Sequence, residues 1–146
     1  MESVVPIYNT MLYLVNKAVF QLFGENSRAL SRMAAKYIVD YLHSQNIIDK
    51  NNLNEESVKK AFIEDLGVCE DLIYSEEDGQ AILKIVNPAL REGIVELGKE
   101  NLPVIIAPGI IYGYLINDIR NHKASYQEQS YDKESNTTIV KFKIMS

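Results

Sequence analysis

From Val5 to Phe23 apolar residues recur at steps of three and four, so that Ile7, Met11, Leu14, Val15, Ala18 and Leu22 gather on one helical face. Leu12, Tyr13, Val19 and Phe20 lie partly off that stripe. A helix apolar nearly all round is expected to pack both on its own domain and on something else. Gly24 ends it, and Asn26 or Ser27 is placed to cap a second helix. There Leu30, Met33, Ala34, Tyr37, Ile38, Tyr41 and Leu42 form the stripe expected to face the core, with Arg28, Lys36 and Asp40 off it. A polar loop from His43 to Asn52 follows. Asn54 then opens a third helix through Leu66, with Val58, Ala61 and Phe62 inward and Gly67 as its stop.

After Asp71 the period falls to two. Leu72 to Glu77 and Gln80 to Val86 read as strands joined at Asp78-Gly79, a pair suited to the positive backbone angles of a tight hairpin. Pro88 is tolerated in a first helical turn, which predicts a fourth helix ending near Asn101. Pro108 opens a fifth, Gly109 to Asn121. A second hairpin closes the chain, with arms Ser125 to Tyr131 and Thr137 to Ile144; in the latter Val140, Phe142 and Ile144 alternate with Ile139, Lys141 and Lys143. The sum is one α+β domain over residues 1–146, an antiparallel sheet of about four strands packed on helices.

Composition narrows the function classes. Among 146 residues, 47% are hydrophobic, enough for a substantial core and against whole-chain disorder. Twenty acidic residues against fifteen basic ones give a formal charge of −5, so no net field draws in nucleic acid. A single cysteine closes no intramolecular bridge and no secretory pattern opens the sequence, which points to the cytoplasm. The apolar run Leu102 to Ile119 is broken by Pro103 and Pro108 and falls short of a membrane span.

Candidate chemistry is sparse. His43 and His122 each follow or end a helix, where a cation favours the exposed carbonyls, so capping accounts for both. Neither has a second His or Cys at metal-ligand spacing, so no metal site is expected. Cys69 reads as a small buried hydrophobe with nothing basic beside it to stabilise a thiolate. The glycines form no phosphate-cradling loop. Gly109 and Gly113, one turn apart, let a helix backbone approach a sheet, a helix or a bound apolar molecule, and close packing is weighed above a ligand contact. Tyr37, Tyr41, Tyr112 and Tyr114 are expected to face the core, at a domain boundary or dimer seam in preference to a cavity. Glu76, Glu77 and Asp78 read as a solvated hairpin tip, Asn136-Thr137-Thr138 as a turn, and Lys141 and Lys143 as lysines guarding a sheet edge.

The stretch Pro108-Gly-Ile-Ile-Tyr-Gly-Tyr-Leu-Ile-Asn-Asp-Ile119, the strand carrying Glu128, and Thr138-Ile-Val-Lys-Phe-Lys-Ile144 together resemble the closing signature of 4-vinyl-reductase-like (hydrocarbon-binding) domains. These are similar in fold to core subunits of the transport protein particle tethering complex. Phe62-Ile-Glu-Asp-Leu-Gly67, the first strand pair and Asn87 fall in the same order, so the likeness spans nearly the whole chain. It implies a mixed domain that dimerises through its first helices and encloses a hydrophobic cavity between helices and sheet. Where zinc-holding members carry cysteines this chain has Asn87, Ala107 and Ser130, so metal is not carried over, nor is the acylated cysteine of the tethering subunits. Three readings follow. The first is a non-catalytic homodimer, a sensor or carrier, taking a small hydrophobic or lipid-like molecule into a site formed by Phe62, Gly109, Tyr112, Gly113, Leu115, Ile116 and Phe142. Its seam would run along Met11, Leu12, Val15 and Val19, and it would need no cofactor, nucleic acid or membrane span. The second is a scaffold or partner-binding assembly protein with a filled core. A vinyl-reductase-type enzyme ranks third, since no acid, base or cofactor site is legible.

Overall fold

A computed structural model describes residues 5–145. Helix α1 spans Val5–Phe23 and turns through a short 3-10 segment, Gly24–Asn26, into α2, Ser27–Ser44. Because the chain at Asn26 is already helical (φ −72°, ψ −10°), its side chain makes no capping bond; Ser27 Oγ instead donates to the Gly24 carbonyl at 2.6 Å. Asn54 does cap α3 (Glu55–Lys60), its Oδ1 accepting from the Ser57 amide at 2.8 Å. The expected single helix to Leu66 widens over Ala61–Asp65 into a π turn, with the Leu66 amide donating to the Ala61 carbonyl at 2.9 Å. Helix α4 occupies Arg91–Lys99. It starts three residues beyond Pro88 because the Ala89 amide donates to the Val68 carbonyl, which holds that segment in a loop. Helix α5 runs Pro108–Ile119. Asn46, Asn101 and Asn121, all at positive φ, follow α2, α4 and α5 in the left-handed conformation that terminates helices.

The four strands are β1 (Asp71–Glu77), β2 (Gln80–Val86), β3 (Lys123–Asp132) and β4 (Thr137–Met145), all antiparallel in the order β1-β2-β4-β3. Asp78 (φ 52°) and Gly79 (φ 75°) make the expected two-residue hairpin turn. The order moves β4 to the middle of the sheet, so Lys141 and Lys143 guard no edge; Lys141 faces Glu128 across the strands at 3.5 Å. The inner face carries Ala81, Leu83 and Ile85 opposite Phe142, Val140 and Thr138, and α5 lies over it. The fold is therefore α+β, with helices gathered on one side of an antiparallel sheet.

The apolar stripe of α1 faces outward, while that of α2 is split, with Leu42 buried and Leu30, Ala34 and Ile38 partly covered. On α1 the buried side chains are Asn9 and Asn16, two turns apart, whereas Ile7, Met11, Leu14, Val15, Ala18 and Leu22 are exposed. On α2 the inward residues are Ser27, Ser31, Ala35 and Leu42, and Met33, Tyr37 and Tyr41 point to solvent. Hydrogen bonds explain these orientations. Asn16 Oδ1 accepts from the Ile105 and Ile106 amides at 2.7 and 2.8 Å, and its Nδ2 donates to the Ile106 and Leu12 carbonyls at 2.9 and 2.7 Å. Asn9 Oδ1 accepts from the Gly93 amide at 2.8 Å and its Nδ2 donates to the Ala89 carbonyl at 3.3 Å. Ser31 Oγ donates to the Ile105 carbonyl. The segment 103–107 thus has no regular partner strand or helix, and the helices supply its missing partners from polar side chains. Outside the clamp, Lys17 pairs with Glu100 at 2.9 Å and Tyr13 donates to the same carboxylate.

Replacing Asn16 with Ala strands two amides that are nearly or fully buried. It is expected to lower unfolding free energy by about 2–4 kcal/mol in urea titration, far more than an exposed polar-to-Ala change on the same helix such as Gln21→Ala.

Candidate functional site

The seven residues expected to line an apolar site do come together, and they meet one another. Phe62 and Tyr112 pack edge to face with ring centres 5.2 Å apart, and Phe142 receives Tyr114 and Tyr126 in the same manner at 5.4 and 5.8 Å. A Cβ added at Gly113 would stand 2.3 Å from the Phe142 ring, and one at Gly109 would stand 2.6 Å from Ile85 Cδ1 and 2.9 Å from Val140 Cγ2. The two glycines are therefore spent on bringing α5 down onto the sheet. Leu115 and Ile116 fill the same layer and are 3% and 1% exposed. Burial pushes the Tyr112 hydroxyl up to about 12, so it stays protonated at any physiological pH.

Beneath Gly109 a space of about 20 Å³ remains, bordered by Leu12, Ile85, Pro88, Ile94, Gln129 and Thr138. Thr138 Oγ1 and Gln129 Nε2 are buried without a hydrogen-bond partner, and both residues border it. A space of this size accommodates one water.

The polar residues form structural ties. Glu76, Glu77 and Asp78 are exposed at the hairpin end, but Glu76 also makes contacts: its Oε1 lies 3.0 Å from Tyr74 Oη and from His122 Nδ1 and 3.6 Å from Arg120 Nη1. Tyr74 Oη lies at the same 3.0 Å from Oδ1 of buried Asn117, so its one proton is shared between the two acceptors, and Arg120 pairs with Glu55 while its guanidinium lies over the Tyr74 ring at 4.6 Å. The cluster fastens the end of α5 to β1 and α3. His122 Nδ1 stands near the β1 carboxylate without a hydrogen-bond partner; at the end of α2, His43 Nδ1 accepts from the Lys50 amide at 3.1 Å. Among the described residues no group of three or more His, Cys, Asp or Glu side chains is placed to hold a metal, and no helix is long and apolar enough to cross a membrane. Cys69 is half-buried, and that burial together with Asp71 pushes its thiol up to about 11.

Of the four residues expected at a seam, Met11 and Val15 are 52% and 46% exposed on the outer face of α1. Leu12 turns inward, its Cδ2 only 2.8 Å from where a Cβ on Gly93 would stand, and Val19 is half-buried between the two faces. The outward surface also carries Ile7, Leu14 and Leu22 on α1 and, on α2, Met33, Tyr37 and Tyr41, the last three expected to face the core. Asn9 and Asn16 were the available signal, since seven residues separate them and they share the face opposite the apolar stripe.

No known family profile matches the sequence. The chain is 31% identical over 111 residues to uncharacterized protein MJ0758 of Methanocaldococcus jannaschii, an alignment covering 76% of this chain and 67% of that protein. It belongs to the same family as that archaeal protein.

Two outcomes follow from this geometry. Gly113→Ala is expected to cost about 1–3 kcal/mol of stability by forcing Phe142 aside, read as a lower urea midpoint. At pH 8 Cys69 should react with iodoacetamide about a hundredfold more slowly than an ordinary exposed thiol, and the rate should rise tenfold per pH unit up to about pH 10, because only the minority thiolate reacts.

Proposed function

We propose that this relative of the archaeal protein is a homodimeric assembly module, a scaffold or partner-binding subunit that uses the outward faces of α1 and α2 as its docking surface. The observation that carries the reading is the distribution of exposed apolar side chains. Of the thirteen large ones among the described residues, ten lie on these two helices. Leu22 is 78% exposed and Tyr37 65%. Scattered exposed leucines are ordinary on a monomer, but ten on two consecutive helices are not.

The occupant of this surface is a second copy of the chain. With about half of each side chain showing and aromatic side chains offering roughly 150–250 Å² apiece, the two helices present on the order of 1,000 Å² per protomer. A stable interface of standard size takes about 800 Å² from each partner. The spacing of Ile7, Met11, Leu14 and Ala18 alternates steps of four and three, the pattern by which one helix seats knobs against another. A twofold pairing would set the same patch against itself, leaving no unsatisfied apolar surface to propagate a filament. The likeness to domains that dimerise through their first helices agrees with this. A core in which Phe142 fills the space under Gly113 supports assembly over storage.

A second reading, an internal apolar guest, rests on the orphaned Thr138 hydroxyl and Gln129 amide beneath Gly109. Such a guest would have to open that space by displacing Leu12 or the segment at Pro88. Organic extraction of protein purified from its host, followed by mass spectrometry, tests it: a stoichiometric apolar compound supports the guest, and a clean extract removes it.

For assembly, light scattering coupled to size exclusion is expected to give a dimer of the 16.6 kDa chain, and the Met11→Glu/Val15→Glu variant a folded monomer. A wild-type monomer that captures a different protein through the same face would replace the second copy with a heterologous partner. A variant that stays dimeric would remove α1 as the seam.

A further inference from the structure

Beside the exposed face of α2, a groove of about 880 Å³ runs between α2, the second half of α5 and the start of β3. Its floor is apolar: Ala35, Leu115 and Ala124 are buried, and Val39, Leu53 and Tyr114 are partly covered beside them. Its walls carry Arg32, Lys36, Lys50 and Lys123 against Asp40 and Asp118. That is an excess of cations in a chain whose formal net charge is −5, so the remainder of the molecule is more acidic than the total implies.

The partners of these charges show which remain uncommitted. Lys50 is paired with Asp40 at 3.2 Å. Arg32 is held in place by one hydrogen bond, Nη2 to the Ala124 carbonyl at 3.0 Å, and by the Tyr114 ring with its guanidinium carbon 5.8 Å from the centroid. A guanidinium has five N–H donors, so most of its fork is unspent. Lys36 and Lys123 make no ion pair among the described residues. Three cations on two different elements therefore stand over an apolar floor, opposed among the described residues by Asp118.

We infer that this groove binds an amphipathic anion, a carboxylate or phosphate head on an alkyl or aromatic body. The head would sit among Arg32, Lys36 and Lys123, where a preorganised guanidinium suits a planar or tetrahedral oxyanion. The body would cover Val39, Leu53 and Tyr114 and remove their apolar surface from water. An uncharged apolar molecule gains only the floor, and a bare oxyanion only the walls, so the groove selects ligands that carry both. The size falls within the range of small-molecule clefts, and the groove shares α2 with the face proposed for assembly but is lined by different side chains.

Isothermal titration of the whole chain with octanoate, octyl phosphate, 1-octanol and inorganic phosphate tests the inference. Octanoate or octyl phosphate should bind saturably, the tighter of the two identifying the head group, with 1-octanol and inorganic phosphate weaker by about tenfold or more. Raising the salt concentration should weaken the anions and leave 1-octanol unchanged. In the Lys36→Glu/Lys123→Glu variant the anion affinity should fall about tenfold, whereas Lys143→Glu, on the outer face of the sheet, should have no effect. Circular dichroism establishes that the double variant is folded. The inference is overturned if neither anion saturates, if 1-octanol binds as tightly as they do, or if the double variant keeps full affinity, which would place the tail on the α1 and α2 face.

Discussion

The architecture turns on one buried amide. Asn16 makes four hydrogen bonds, and through them the backbone at Ile105 and Ile106 finds partners that no strand or helix supplies. A buried amide or carbonyl left unmatched costs about 1–3 kcal/mol, so the clamp outweighs the gain from turning one more apolar residue inward. Its consequence is directional. Once Asn9 and Asn16 are fixed against the domain, the geometry of a helix carries Ile7, Met11, Leu14 and Val15 to the far side. Ser31 on α2 adds its own bond to Ile105 and turns Met33 and Tyr37 outward in the same way. Apolar surface in solvent is thus the result of satisfying polar groups inside, and the functional proposal grows from that exchange.

The sheet side obeys the more usual rule. Gly109 and Gly113 let α5 descend until Ile85, Val140 and Phe142 touch its backbone side, and aromatic rings from the π turn after α3, from α5 and from β3 close around them. Packing of this density transmits position well: the end of α5 is held to β1 through Tyr74, Asn117 and the Glu76 cluster, which also fixes where β3 begins. The groove walls inherit that rigidity, since Arg32 is tied to Ala124 at the first turns of β3.

Much of this was legible in the sequence, and the boundary between what was and was not is physical. Alternation over Gln80 to Val86 and Thr137 to Ile144, with Asp78-Gly79 between the first pair, fixed the hairpins because a strand has one period and a two-residue turn few residue choices. Helix ends at Gly24, Asn101 and Asn121 were readable for the same reason. Strand order was not, because the pairing of β2 with β4 joins residues some sixty positions apart and leaves no local trace. The direction in which α1 faces was legible only in part: Met11 and Val15 were expected at a seam and are exposed, whereas Leu12 turns inward. A stripe of apolar residues says that one side of a helix avoids water, and is silent about whether the cover comes from the same chain; only the matched asparagines on the other side carried that information. The groove was invisible for a third reason: Arg32 and Lys36 on α2 meet Lys123 on β3 only in the folded chain, and overall acidity conceals a local excess of the opposite sign.

The account stands or falls on the clamp, and amide hydrogen exchange at Ile105 and Ile106 reads it directly. Both amides should exchange slowly in the wild-type protein, comparably to sheet amides such as Leu83, and in an Asn16→Ala variant that remains folded they should exchange orders of magnitude faster while Leu83 stays protected. Rapid exchange at both positions in the wild type, or protection that survives the substitution, would mean that α1 is held by something else and that its outward apolar face has lost its explanation.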